Sequence, residues 1–442
     1  MKKTLLTICL VWMCFSLSAQ KIIDLSGKWS FSIDRQDNGE KEKWFSHTLN
    51  DFINLPGSMP EKLKGDEVTA KTQWTGSLYD SSYYYNPYME KYRKEGNIKF
   101  PFFLTPDKHY VGAAWYQKEV NIPADWKGER ILLFLERPHI ETTVWVNGQK
   151  TGMQNSLCVP HQYDITHYVR PGKCTITIRV DNRIKEINVG PDSHSITDQT
   201  QGNWNGIVGR ICLQTTPKTY FDDIQIYPEP EQKLARVKVV IKGTGTAKVK
   251  LSAESFNTDK KHIVPAIQQE IKLNKGVTET EMVLPMGNDM LLWDEFHPAL
   301  YKLKAEVTNG KKTEIKEIQF GMRRFEIKGK WFYVNGRKTQ LRGTVENCDF
   351  PLTGYAPMDV ESWERVFRIC RSYGLNHMRF HSFCPPEAAF MAADRVGFYL
   401  QPEGPSWPNH GPKLGLGQPI DKYLMDETIA LTKEYGNYAS YC

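Results

Sequence analysis

The chain has 442 residues, 40% of them hydrophobic and 12% aromatic, with a formal net charge of +6. That length suits about three domains. The small charge, with no Lys/Arg run to track phosphates, gives no place to nucleic acid as a partner.

Residues 1–19 read as a signal peptide. Lys2 and Lys3 open it, Leu5–Leu17 is apolar, and Ser16-Leu17-Ser18-Ala19 offers a cleavage site. The apolar run is short for a membrane span, and no other transmembrane stretch follows. The expected location is therefore the periplasm or the extracellular space, the alternative being an uncleaved anchor. Seven cysteines remain beyond this segment: Cys158, Cys174, Cys212, Cys348, Cys370, Cys384 and Cys442. Scattered and odd in number, they predict buried free thiols rather than a metal site or a disulfide scaffold. A single bridge, such as Cys158 with Cys174, stays open.

Residues 20–218 read as an all-β sandwich or jelly roll. Short alternating runs recur at Trp29–Ile33, Ala114–Ile122, Arg130–Glu136, Thr142–Val146, Thr175–Val180 and Val208–Gln214. Turn signals such as Asn147-Gly148 separate them. The interval Ser77–Lys108 breaks this rhythm with Tyr83, Tyr84, Tyr85, Tyr88, Tyr92, Phe100, Phe102 and Phe103. Packing onto a neighbouring domain is the favoured role for these rings, ahead of stacking on sugars. Residues 219–322 carry seven short runs, Phe221–Tyr227, Val237–Ile241, Ala247–Leu251, Gln269–Leu273, Thr280–Leu284, Tyr301–Val307 and Glu314–Phe320. They predict an immunoglobulin-like sandwich.

Residues 323–442 change character. Phe325–Val334 reads as a hairpin-like lead-in, with Asn335-Gly336 turning into a first strand, Thr339–Gly343. Strands Asn376–His381 and Phe398–Glu403 follow, alternating with helices Val360–Tyr373, Pro386–Val396 and Asp421–Tyr435. Asp359 can cap the first helix, and Gly374, Gly397 and Gly436 can end the three. Val360, Trp363, Phe367 and Cys370 share one face of the first helix; Leu424, Thr428, Leu431 and Tyr435 share one of the third. This order predicts parallel βαβ units. Arg342, Arg379, His381 and Glu403 fall at the carboxyl ends of the strands, where barrel active sites lie. Three units over roughly 120 residues are fewer than the eight of a closed barrel. The fold expected is thus multidomain: a jelly-roll sandwich, an immunoglobulin-like sandwich and an incomplete (β/α)₈ TIM barrel of three βα units, truncated. Tyr438-Ala439-Ser440-Tyr441-Cys442 looks like the approach to a fourth strand.

The chain resembles glycoside hydrolase family 2, which holds β-galactosidases, β-glucuronidases and β-mannosidases. The resemblance covers nearly everything after the signal. It is carried by Gly112-Ala113-Ala114-Trp115-Tyr116, Val144-Trp145-Val146-Asn147-Gly148, Asp164-Ile165-Thr166, Trp204-Asn205-Gly206-Ile207, Gly321-Met322-Arg323, Phe332-Tyr333-Val334-Asn335-Gly336 and Leu341-Arg342-Gly343. Each motif alone is weak; their joint order is not. Glu346-Asn347-Cys348-Asp349-Phe350-Pro351 is similar to a polysaccharide-degrading bacterial subgroup.

The resemblance implies a retaining glycosidase acting on β-linked sugars of an oligo- or polysaccharide, working with two glutamates about 5–5.5 Å apart. Tyr435-Gly436-Asn437 resembles the segment before the fourth strand, so both glutamates are expected beyond Cys442 and no catalytic residue is assigned. The candidate substrate-binding residues, read from their places at the strand ends and in the loops beyond, are Arg342, Glu346, Asp349, Arg379, His381, Glu403 and Trp407. His381 is implied to bind the innermost sugar, against a structural histidine. Arg342 and Arg379 are either sugar contacts or barrel-core partners of Glu403. Glu346 and Asp349 are either loop ligands or solvated carboxylates, and Trp407 either stacks or packs. His377 is expected to face the helix layer. Two pocket arginines would tolerate a uronic acid carboxylate, while β-galactosidase is the default reading. No cofactor or metal ligand set is implied; a structural or substrate-site cation and the oligomeric state stay open. The competing class is a non-catalytic carbohydrate-binding protein.

Overall fold

The computed structural model describes residues 20–76, 81–100, 105–185, 187, 189–200, 202–350, 352–408 and 412–442. The proposed signal peptide, Phe102, Phe103 and Pro351 lie outside them.

Alternation in the first unit builds two antiparallel sheets. One orders strands Ile22–Asp24, Gly206–Thr216, Arg130–His139 and His161–Asp164; the other orders Gln149–Gln154, Glu141–Val146, Gly172–Asp181, Ala113–Ile122, Gly27–Asp34 and Asp51–Leu55. Inward residues such as Trp29, Tyr116, Leu133, Leu135, Val144, Ile178 and Leu213 interdigitate between them. The larger sheet is covered on its outer face too. Leu49, Trp44 and Phe45 pack there against Trp115 and Trp145, with Phe45 stacked on Trp145 at 5.2 Å.

The described rings of the aromatic interval pack on one another and on the first unit. Tyr83 stacks on Phe100 at 4.7 Å, Phe100 meets Trp74 edge-on at 4.5 Å, and Trp74 packs on His109, all within the first unit. Tyr85 and Tyr88 remain exposed.

The seven expected runs of the second unit lie on five strands, because two are long and bent. Leu234–Phe256 and Ile263–Pro285 each absorb two runs and pair along their whole lengths. The register breaks between Gly243 and Gly245, and Gly276, at φ 106°, faces Gly243. Bulges bend strands, so the first half of Leu234–Phe256 pairs with Tyr220–Glu229 and the second half with Leu300–Asn309. The two layers enclose Ile241, Val249, Leu251 and Leu303.

The third unit corrects one register. Phe325–Lys328, Trp331–Val334 and Arg337–Thr339 form a three-stranded antiparallel sheet, so the expected first barrel strand is in part the third strand of the lead-in. The first parallel strand is Gly343–Glu346; it pairs with His377–Phe380, which pairs with Tyr399–Gln401. The helices are Val360–Ser372, Glu387–Val396 and Pro419–Tyr435. Asp359 accepts the Ser362 N–H at 2.8 Å, and Gly374 and Gly397 are left-handed at φ 80° and 76°. Gly436 is not: it keeps a right-handed helical conformation at φ −64°. The third helix buries Ile420, Tyr423, Glu427, Leu431 and Tyr435, and Thr428 is exposed, so its inner face is rotated from the expected one. Met378, Phe380, Trp363, Phe367 and Phe398 make the core between the strands and helices.

The first and third units are joined by polar groups. Glu427 accepts the N–H groups of Leu157 and Cys158 at 3.0 and 3.1 Å. Arg137 donates to the carbonyls of Leu157, Cys384 and Pro385. Cys158 lies in this junction, while Cys174 lies in the first core, and none of the seven described cysteines is in a disulfide. Among the described residues no helix is long and apolar enough to cross a membrane.

Candidate active-site pocket at the carboxyl end of the parallel strands

Strand parity decides which side chains leave toward the pocket. Register partners in a parallel pair point to the same side. Val345, Arg379 and Gln401 are partners, and so are Glu346 and Phe380. Phe380 is buried in the helix-side core, so Arg379 points the other way. His381, two residues on, follows Arg379, and its N–H donates to the Glu346 carbonyl at 2.9 Å.

Four of the seven predicted residues come together here. Arg379 Nε donates to Glu403 Oε1 at 2.5 Å, and its terminal nitrogens have no hydrogen-bond partner among the described residues. Glu403 Oε2 accepts the Ser382 N–H at 2.8 Å. The His381 and Trp407 rings lie 5.1 Å apart, and His381 Nδ1 is 3.3 Å from Asn347 Oδ1.

A first-unit loop completes the cluster. The His194 ring lies 4.6 Å from His381 and 5.3 Å from Trp407. Ser382 anchors the loop in a left-handed conformation, φ 50°, which costs a non-glycine residue about 1–2 kcal/mol. Four hydrogen bonds hold it there: its N–H to Glu403, its Oγ from the His194 N–H at 2.9 Å, and its carbonyl from Ser193 Oγ and Ser195 Oγ at 3.3 and 2.7 Å. Trp407 N–H donates to the Val189 carbonyl, and Gly190 passes so close that a Cβ there would sit 2.2 Å from the Trp407 carbonyl oxygen.

Burial and the neighbouring His381 ring push His194 down to about 4. Burial, with Arg379 beside it, also lowers His381. A neutral imidazole offers one donor and one acceptor, which together with an indole ring and a guanidinium suits a polyhydroxylated ligand. No group of side chains among the described residues is arranged to hold a metal ion.

Three predicted residues stand elsewhere. Arg342 precedes the first parallel strand, at the amino end of the sheet. It donates to Glu295 Oε2 of the second unit at 2.9 Å and to the carbonyls of Gly374 and Gln340. Glu346 faces the helix side, where its carboxylate accepts the Asp349 N–H at 3.1 Å and burial raises its pKa. Asp349 sits beside it in the same loop, also raised by burial. Neither carboxylate joins the ring cluster. His377 corrects the parity expected of it: it lies on the Arg379 side, close against Gly343. Sequence reasoning missed Ser193, His194, Ser195 and Ser382. The polar run Asp192-Ser193-His194-Ser195, which proves to be buried, was the one signal for the first three; Ser382 carried none.

Two β-sandwiches lead into βα units, with a cluster of three rings and a guanidinium at the strand ends. Residues 22–217 match the family model described as glycosyl hydrolases family 2, sugar binding domain, and residues 219–323 that described as glycosyl hydrolases family 2. The chain belongs to glycoside hydrolase family 2. It is 24% identical to a β-galactosidase of Thermoanaerobacter pseudethanolicus over 71% of this chain and 42% of that protein. It is 23% identical to human β-glucuronidase over 86% of this chain and 57% of that protein. Its fold matches the crystal structure of Ruminococcus gnavus β-glucuronidase with TM-score 0.68 at 19% identity, over 96% of this chain and 66% of that one. The chain thus spans about half the length of the curated relatives it matches.

Proposed function

We propose that this chain carries the substrate-binding part of an exported glycosidase that removes terminal β-linked sugars from an oligo- or polysaccharide by retaining hydrolysis. Its third unit is read as the first three βα units of a (β/α)₈ barrel. His381, Arg379, Glu403 and Trp407, with His194, hold the terminal sugar. The observation that carries this reading is the convergence of three rings and one half-free guanidinium at the carboxyl ends of the strands, where barrel enzymes bind substrate.

The two bond-cutting carboxylates are assigned to barrel strands other than these three. Supporting this, both oxygens of Glu403 are engaged, one by Arg379 and one by the Ser382 N–H. It positions Arg379 rather than facing a second acid. With Arg342 at the other end, one arginine remains for a uronate, so galactosides and glucuronides are both candidates.

The test is to assay residues 20–442 against nitrophenyl β-galactoside and β-glucuronide, while measuring galactose and glucuronate binding. Sugar binding without turnover, lost in His381→Ala, is expected. Turnover that disappears in Glu403→Gln would overturn the assignment of the carboxylates.

A further inference from the structure

A concavity lies at the junction of the first and third units, apart from the His381 cluster. It has a volume of about 340 Å³ and is lined by residues from 58–63, 105–109, 198–204 and 352–354. That size falls among small-molecule sites, which run from about 300 to 1,000 Å³. The stretch 189–204 serves both places: His194 joins the pocket, while Asp198, Asn203 and Trp204 line this cleft.

The cleft is held in shape by hydrogen bonds and ring contacts. Asp198 Oδ1 accepts the Asn203 N–H at 2.9 Å, and Oδ2 accepts that of Thr75. Trp204 stacks on His139 at 4.5 Å and packs near Tyr355, whose hydroxyl donates to Glu61 Oε2 at 2.9 Å. That last bond ties the third unit to the first across the cleft. His109, buried and beside Trp74, presents an Nε2 with no hydrogen-bond partner, 3.8 Å from Asp198 Oδ1. Leu63 and Leu352 stand exposed among the lining residues.

We propose that this cleft binds a neutral sugar unit of a β-linked oligosaccharide, at a position separate from the pocket at His381. The inference rests on reading that pocket as a sugar site. Sugar hydroxyls are donors, and the lining offers the exposed Asp107 carboxylate as an acceptor, beside a Glu61 carboxylate that Lys62 and the Tyr355 hydroxyl hold at 2.6 and 2.9 Å, with apolar leucine surface for a ring face. Among the described lining residues there is no lysine or arginine, and the nearby Lys62 is taken up by Glu61, which leaves Asp107 and Asp198 to set the sign of the cleft. An acidic sugar would meet like charge there, which is how interfaces reject wrong partners.

The test is calorimetry on residues 20–442 with galactose, β-1,4-galactohexaose and a hyaluronan hexasaccharide. Galactohexaose is expected to bind at least tenfold more tightly than galactose, and the hyaluronan hexamer to show no such gain. The gain should vanish in Glu61→Ala/Asp107→Ala and in Asp107→Lys, the latter at an exposed position where folding is not at stake. No gain with length, a gain unchanged in both variants, or a larger gain for the acidic hexamer would overturn the proposal. Galactose binding unchanged in His381→Ala would instead overturn the pocket reading alone.

Discussion

The two ends of the short parallel sheet carry the same pair of residue types in opposite roles. At the amino end, Glu295 accepts Arg342 and the Asn376 side chain, each at 2.9 Å, and Asn376 Oδ1 accepts the Arg342 N–H at 2.7 Å. Asn376 also donates to the Gln340 carbonyl, so every guanidinium nitrogen of Arg342 and both polar atoms of the Asn376 side chain are engaged. Nearby, the buried Asp394 carboxylate accepts Gln319, Ala439 and Ser440 and so binds the second unit to the third. At the carboxyl end, Arg379 spends one nitrogen on Glu403 and keeps its terminal nitrogens free of described partners. A saturated network resists change because each lost partner strands a buried group; a part-used one has donors for a ligand. One end is therefore read as a clamp and the other as a site.

That contrast can be broken by substitution, starting with the clamp. Asn376→Leu strands the Arg342 N–H and weakens the hold on Glu295, and should cost about 3 kcal/mol in urea unfolding; a loss below about 1 kcal/mol would deny the clamp. Asp394 tests the same end by pH. Burial raises its carboxyl to about 6, so between its unfolded value, about 4, and 6 the folded chain keeps a proton that the unfolded chain has released. Its contribution is full below about pH 4 and is lost as pH rises through 6. The stability difference between wild type and Asp394→Asn should shrink by about 3 kcal/mol from pH 4 to pH 7, and a flat difference would contradict this. At the other end, Glu403→Ala should cost only about 1 kcal/mol of stability, its pair being partly exposed, yet weaken sugar binding at least tenfold. Smallest of all, Thr428→Ala on the exposed face of the third helix should move the unfolding midpoint by no more than about 0.5 kcal/mol. A larger effect would restore the helix face first expected.

Local chemistry explains what could be read in advance. The first two helices were legible because Asp359, Gly374 and Gly397 act within a turn of each end. The third was placed, but its burial pattern follows Tyr423, whose hydroxyl donates to the Asn155 carbonyl, and Glu427, which accepts from Leu157 and Cys158, all some 270 residues away. The first parallel strand slipped because Arg337–Thr339, extended and following a turn at Asn335-Gly336, pairs backward into the lead-in sheet. That slip carried Arg342 to the wrong end. Glu346 lies one residue from Val345, and in a strand that places it on the opposite face. His194 reaches the pocket only through tertiary structure, and no periodicity marks a loop.

The most direct measurement is calorimetric titration of one sugar, galactose or glucuronate, into wild type, His381→Ala and Arg342→Ala. The account predicts at least a tenfold loss of affinity in His381→Ala and an unchanged affinity in Arg342→Ala. The reverse order, or equal losses in both, would contradict it.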